Sequence, residues 1–262
     1  MHDRHTNRRR YFDEQVRTTR DHVLPYIERT MPITPEVRVF EIGCGEAGNL
    51  VPFLERGCEC VGVDLNQGKI DVGRQYIGEL LPGKEVELTV QDIYDSSAER
   101  LGTFDLIILR DVIEHIHDQG RFLKFMRKFL KPQGRVFFGF PPWRMPFGGH
   151  QQVLANKYLS KLPWFHLLPE PAYRRVLKAA GEPDKRIEEM VEIKDTGISV
   201  GRFTRLAREA GYLFEQKDLY LINPNYETKF GLQPRRVPGV LASLPWVRDF
   251  YSTAVYALIR QA

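Results

Sequence analysis

The stretch VRVFEIGCGEAG, residues 37–48, decides how the chain is read. Val37, Val39, Phe40 and Ile42 are β-type apolar residues, and the run stops abruptly at Gly43, Gly45 and Gly48. A strand that ends in glycines lets the backbone turn tightly and approach a ligand closely. Glu41, two residues before the first glycine, narrows the kind of ligand. A pyrophosphate seated on a helix N-terminus gains nothing from a neighbouring negative charge. A carboxylate inside the turn suits a cationic or zwitterionic ligand instead.

The 262 residues are 42% hydrophobic and 27% charged, which describes a globular chain long enough for one large domain with an insertion. Its longest apolar runs are too short to cross a bilayer. The start, MHDRHTNRRRYFDEQ, is basic with no apolar segment behind it, so no secretory signal is read and a cytoplasmic location is expected. Cys44, Cys58 and Cys60 read as reduced packing thiols, and Cys58-x-Cys60 has the wrong spacing for a common zinc knuckle. A net charge of +4 is compatible with an acidic substrate but is small for a dedicated nucleic-acid binder. Arg8, Arg9 and Arg10 are read as a solvated arm before the first helix, with phosphate contact as the alternative.

Apolar residues at helical spacing over 11–30 predict an N-terminal helix. Strand patterns follow at 37–42, 59–64, 86–90, 104–109 and 134–140. Helical patterns over 48–57, 66–81 and 118–131 separate them. This alternation is the signature of a parallel sheet covered by helices on both faces. The regularity breaks at Pro141-Pro142. Residues 143–197 are rich in aromatics and prolines, with helices expected over 155–162 and 170–180. A helix over 199–210 and strands over 212–222 and 253–260 resume the pattern. Ligands in open α/β sheets sit beyond the carboxyl ends of the strands, so 143–197 is expected to be a lid over that crevice. Residues 224–250 form a second irregular segment.

Three further features fall where the crevice would lie. VGVDL puts Asp64 and Leu65 at the end of the second strand, VQDI puts Asp92 and Ile93 just after the third, and FDLIILRDV ends the fourth at Leu109, followed by Arg110. A strand-end aspartate alone is often only a cap, and an acid about twenty residues after a glycine turn also fits a dinucleotide fold. The ordered series, from EIGCG to VGVD, QDI, FDLIILRD and the LKPQGRVFF turn, resembles class I S-adenosylmethionine-dependent methyltransferases over residues 37–140. The family's first motif most often has glycine where this chain has Ala47, and Gly48 follows directly.

The resemblance implies a Rossmann-like α/β fold with a mostly parallel seven-stranded sheet, helices on both faces and a lid insertion after the fifth strand. The expected layout is one domain over 1–262. It comprises an N-terminal helical segment (1–35), a cofactor-binding half (36–142), the lid (143–197) and the C-terminal part of the sheet (198–262). The implied cofactor is S-adenosyl-L-methionine, contacted by Glu41, Gly43, Gly45, Asp64, Leu65, Asp92, Ile93 and Arg110. Asp64 would take the ribose hydroxyls, Asp92 the adenine amino group with Ile93 on the ring, and Arg110 would approach the methionine end.

Methyl transfer from a sulfonium leaves alignment to the protein, and a hydroxyl acceptor must also lose a proton. Candidates lie in DVIEHIH, residues 111–117. If a helix starts there, Asp111, Glu114 and His115 share one face. The segment resembles the E-x-x-E-H pattern of methyltransferases acting on quinone-ring hydroxyls in ubiquinone biosynthesis or on the 2′-hydroxyl of small RNAs, members of which hold a divalent metal such as Mg. Here Asp111 replaces the first glutamate. His150, in PFGGHQQ, is a candidate fourth ligand, or a general base without metal. The E-H pair alternatively only caps a helix and orients the acceptor, and His117 is read as a surface residue.

Trp143, Phe147 and Tyr158 are the candidate substrate contacts, in a lid whose aromatics favour an aromatic or lipid-like acceptor over a sugar. PWFHLLP, at 163–169, gives the 143–170 segment a possible role in peripheral membrane contact, flanked by Arg174, Arg175 and Lys178. The reading is a methyltransferase acting on a small, hydroxyl-bearing molecule. RNA 2′-O-methylation is the alternative within the family, although no separate RNA-binding module is visible. A nucleotide-dependent oxidoreductase and a non-catalytic adenosylmethionine-binding protein are alternatives of other classes. The acceptor and the oligomeric state are not encoded legibly.

Overall fold

The computed structural model describes residues 7–262, so the first six residues of the basic start lie outside it. Eight strands form one sheet: β1 (Arg38–Ile42), β2 (Glu59–Asp64), β3 (Glu87–Val90), β4 (Phe104–Arg110), β5 (Leu130–Phe140), β6 (Tyr212–Ile222), β7 (Arg235–Arg236) and β8 (Ala254–Gln261). Their order is β3-β2-β1-β4-β5-β8-β6-β7. The first five run parallel, while β8 is antiparallel to both β5 and β6. The sheet therefore has eight strands rather than the expected seven. The extra one is the two-residue β7, whose RR sequence carries no strand signal. Strand order reverses between β1 and β4, which opens a crevice at their carboxyl ends.

The two-residue period of the strands sorts side chains between the two faces. Phe40, Ile42, Ile107 and Leu109 enter one core, with Phe122, Phe129 and Phe203. Val39, Leu106, Ile108 and Phe137 enter the other, with Phe12, Val16, Leu24 and Phe53. By the same parity, Glu41 and Arg110 point to the second face, which the N-terminal helix covers. The fold thus places an acid and a base beneath that helix.

The N-terminal segment is helical over Arg8–Thr18 and Leu24–Ile27, joined by a π-helical stretch at Thr19–Val23. Arg8, Arg9 and Arg10 are not an arm. They open this helix, with Arg8 donating to the Gly68 carbonyl at 2.8 Å and Arg9 paired to Glu79 at 2.7 Å. The three cysteines are buried free thiols, as read from the sequence.

The insertion after β5 has its own small core, built from Leu154, Phe165, Tyr173, Leu177, Ile187, Met190 and Val191. Two helices carry it, Glu170–Ala179 and Asp184–Thr196. The expected helix over 155–162 is replaced by short 3-10 turns at Gln151–Val153 and Leu159–Lys161. Asn156 explains the change: its side-chain oxygen accepts from the backbone N–H groups of Tyr158 and Leu159, forming a turn that competes with helix.

His166 ties this insertion together. Its fully buried ring donates from Nε2 to the Trp143 carbonyl at 2.8 Å, with the Gln151 amide 3.5 Å from Nδ1. Burial pushes its pKa down to about 4. An unfolded imidazole takes its proton near pH 6.5, so the folded form is fully favoured above that pH and loses the advantage as pH falls towards 4. The loss is on the order of 3 kcal/mol. Denaturant titrations at pH 7 and pH 4.5 should show this loss in the wild type and a shallower one in His166→Gln. Equal slopes would remove His166 as the origin.

Candidate active site

After β1 the chain turns over the end of β2: the N–H groups of Gly43 and Cys44 both donate to the Val63 carbonyl, at 2.8 and 3.0 Å. Gly43, Gly45 and Ala47 are all left-handed, with φ of 71°, 56° and 59°. At Gly43 a Cβ would lie 2.6 Å from Val112 Cγ2, so both conformation and space demand glycine. Ala47 holds the same conformation at a cost of about 1–2 kcal/mol, partly offset by its fully buried methyl. Gly48 meets the N-terminal helix, since a Cβ there would fall 2.7 Å from the Phe12 carbonyl oxygen.

Asp64 fastens this turn. One carboxylate oxygen accepts from Gly45 N–H at 2.8 Å and the other from Asn66 N–H at 2.9 Å. Asp92 accepts from Tyr94 N–H at 2.9 Å and caps the 3-10 turn Ile93–Asp95. Each carboxylate retains lone pairs for a further donor. Leu65 projects into solvent at 72% exposure, while Ile93 is buried. The two acids therefore stand at the carboxyl ends of β2 and β3, beside the glycine turn.

Glu41 is buried and accepts from Asn49 Nδ2 at 2.6 Å. Asn49 Oδ1 in turn accepts from Arg110 Nη1 at 2.6 Å and from Thr19 Oγ1 at 2.9 Å. β4 runs on through Arg110, one residue beyond the expected end. Burial pushes the Glu41 carboxyl up to about 8, with Asn49 and Arg110 drawing it down only in part. A carboxyl raised in this way favours its neutral form, and a further cation beside it would draw it towards the anion.

The expected helix at 111–115 does not form. Asp111 reverses the chain at φ 56°, donating its N–H to the Gly139 carbonyl at 2.8 Å, and a single 3-10 turn spans Ile113–His115. Among the described residues, the close group is Glu114, His115 and His150, with one ligand atom from each inside 4.8 Å of the others. Asp111 falls outside the close group, while its charge still reaches Glu114 and His115. The two imidazole rings meet edge to face at 5.1 Å. His150 reaches this position because PFGGH packs tightly. A Cβ on Gly148 would strike the Trp143 carbonyl, and one on Gly149 would strike the His166 ring.

Both Glu114 carboxylate oxygens are buried with no partner among the described residues, and burial holds this acid well above the carboxylate range. Burial also holds His115 below the usual imidazole value, hence neutral near pH 7. An orphaned buried carboxyl grouped with two imidazoles fits a divalent cation. Two nitrogen donors suit zinc or another imidazole-preferring ion better than the expected Mg, which favours oxygen. His117 lies at the surface beside Glu192, as expected.

The candidate substrate residues diverge. Trp143 packs against His166 at 4.6 Å and carries the Lys194 ammonium over its ring. Phe147 is half-buried, one turn before His150. Tyr158 is 87% exposed on the outer surface of the insertion, and is not brought to the group around His150. The sequence reading passed over Thr19, Asn49 and the tyrosines at 11, 226 and 256. Asn49 had one usable signal, its place immediately after the last glycine of the turn.

The family model described as "Methyltransferase domain" matches residues 6–181, more than half of the chain. The ubiquinone biosynthesis O-methyltransferase of Xanthomonas axonopodis pv. citri is 29% identical over 126 residues, 48% of this chain and 51% of that protein. The chain thus spans about half the length of the curated relatives it matches. Among solved structures, magnesium protoporphyrin IX methyltransferase from Synechocystis PCC 6803 shares the fold at a TM-score of 0.55 and 14% identity, covering 95% of this chain and 84% of that one. Geranyl diphosphate C-methyltransferase from Streptomyces coelicolor A3(2) does so at 0.55 and 15%, covering 92% and 80%. The chain belongs to the class I S-adenosylmethionine-dependent methyltransferase family.

Proposed function

We propose that this protein transfers the methyl group of S-adenosylmethionine to a hydroxyl of a small, partly apolar acceptor. The observation that carries the donor half is the row of acids at the carboxyl ends of β1, β2 and β3 around one glycine turn: Glu41, Asp64 and Asp92. Gly43 and Gly45 leave the backbone open to the ligand, Asp64 takes the ribose hydroxyls, and Asp92 the adenine amino group. Leu65 and Ile93 flank the ring, and Arg110 lies towards the methionine end. Curated relatives named as O-methyltransferases favour oxygen as the acceptor atom.

The step is an in-line displacement. The acceptor oxygen forms a bond to the methyl carbon as the carbon–sulfur bond breaks, the electron pair stays on sulfur, and the sulfonium becomes a neutral thioether. Where no ion is bound, the hydroxyl proton passes to an imidazole, His150 or His115, the latter held below the usual imidazole value by burial. Glu114, His115 and His150 would hold a divalent ion, which supplies acidification of an acceptor hydroxyl when bound. Asp111 lies outside that group and contributes through its charge, which bears on both Glu114 and His115.

The insertion over 143–197 supplies an apolar wall through Trp143 and Phe147. The exposed Tyr158, Leu162, Trp164 and Leu168 support the reading of 143–170 as a surface for peripheral membrane contact. No helix among the described residues is long and apolar enough to cross a membrane.

Incubation of the protein with methyl-labelled S-adenosylmethionine and fractionated cell extract should label a small-molecule or lipid fraction. Label confined to RNA would overturn the acceptor half. Glu114→Gln and His115→Ala should each lower turnover about 100-fold, as should EDTA, with recovery on adding zinc or manganese to the wild type only. Full activity in EDTA together with loss in His150→Ala would instead assign His150 as a base without metal. Donor binding beside Glu41 should release up to one proton per site at pH 7, because the arriving cation pulls down a carboxyl otherwise held near 8. Calorimetry in buffers of different ionisation enthalpy reads this release, which Glu41→Gln should abolish.

A further inference from the structure

Large apolar side chains reach solvent on the insertion and again between β7 and β8. On the insertion they are Tyr158, Leu162, Trp164 and Leu168. In the second segment they are Val240, Leu244, Trp246, Val247 and Tyr251, with Val240 78% and Trp246 71% exposed. This segment is not a loose loop. Leu241 and Ala242 pack against the core, and the buried Asp249 accepts from Val200 N–H at 2.8 Å. The backbone is thus pinned at both ends while its large side chains face water. Exposed apolar side chains gathered in this way mark an interaction surface. Residues 144–146 join the two segments. The Arg144 guanidinium lies 5.0 Å from the centre of the Trp246 ring, and Trp164 N–H donates to the Pro146 carbonyl at 2.8 Å.

The charge carried by both segments has one sign. Residues 143–169 contain Arg144, Lys157 and Lys161 and no acid. Residues 231–251 contain Arg235, Arg236 and Arg248, and their single acid is the buried Asp249. Of these bases, Arg236 is neutralised by Asp218 at 2.8 Å. We propose that residues 239–251 are a second interfacial anchor, which together with 157–168 seats the chain on an anionic lipid bilayer. Tryptophan and tyrosine rings settle at the headgroup level, and Lys and Arg beside them are drawn to anionic headgroups. A second copy of the chain would set the same positive surface against itself, so like charge opposes self-association there. The face rests on the reading of 143–170 as a membrane surface and adds to it a second segment and a lipid class. The 144–146 bridge runs on into Phe147 and His150, so a bilayer at this face adjoins the candidate acceptor side.

Flotation with vesicles of phosphatidylcholine alone, and of phosphatidylcholine mixed with phosphatidylglycerol, tests the anchor. The proteins are the wild type, Trp246→Ser, Trp164→Ser and a variant carrying both Lys157→Gln and Lys161→Gln. The wild type should partition onto the anionic vesicles better than onto the neutral ones by on the order of tenfold or more, and the lysine variant should lose most of that preference. Trp246→Ser should lower partitioning on the order of tenfold, as should Trp164→Ser. The Trp246 ring is exposed, so its variant should keep the wild-type Tm, which separates lost anchoring from lost folding. Binding that fails in Trp164→Ser and is untouched in Trp246→Ser would overturn the second anchor while leaving the contact through the insertion in place. Equal binding to both vesicle types would overturn the anionic lipid. No binding to either would overturn this face and the 143–170 reading together. A dimer in sedimentation velocity that Trp246→Ser dissolves, with no vesicle binding, would assign the segment to a second copy instead.

Discussion

The bond from Asn49 to the buried carboxyl of Glu41 is the interaction on which the rest of the site depends. It joins the end of β1 to the glycine turn, and through Asn49 it continues to Arg110 on β4 and Thr19 under the N-terminal helix. Three elements distant in sequence are thereby fixed around the point where strand order reverses. A polar chain of this kind is costly to bury unless every member finds a partner. Glu41 keeps one carboxyl oxygen without one. Burial raises this carboxyl towards its neutral form, and a cationic ligand beside it would draw it back.

The parallel half of the fold was legible because its signals are local. Strand period, glycine turn and strand-end acids all lie within short windows around 37–48, 61–65 and 90–93, and each element formed where its pattern stood. The candidate donor side shares that clarity, since Glu41 and Asp64 belong to β1 and β2 and Asp92 follows the end of β3 by two residues. β7 escaped notice because pairing with β6, rather than propensity, makes two arginines a strand.

The acceptor side was legible only in part, for a physical reason. Asp111, Glu114 and His115 suggested one helical face, yet a left-handed Asp111 turned the chain into a single 3-10 turn and left Asp111 outside the close group. His150 joined Glu114 and His115 through glycine contacts with Trp143 and His166, residues whose packing no local pattern reports. Tyr158 shows the converse. It looked like part of an aromatic wall, but an asparagine-capped turn replaced the helix and left its ring in solvent. Tyr256 and Asn225 enter the site from segments more than a hundred residues after the glycine turn, by the topology of β8 and the loop after β6 alone.

The π-helical stretch at Thr19–Val23 gives the N-terminal helix an uneven sensitivity to chain length that its composition does not suggest. A π turn accommodates one residue more than an α turn, with the flanking turns kept close to their α phase. Removing a single residue there would let an α turn take its place with Phe12 still facing the core. Removing one from the regular turns between Phe12 and Thr18 would instead rotate everything before it by roughly 100° about the helix axis and carry Phe12 out of the core. The helix behaves as a phased part of the site, not as a cover laid over it.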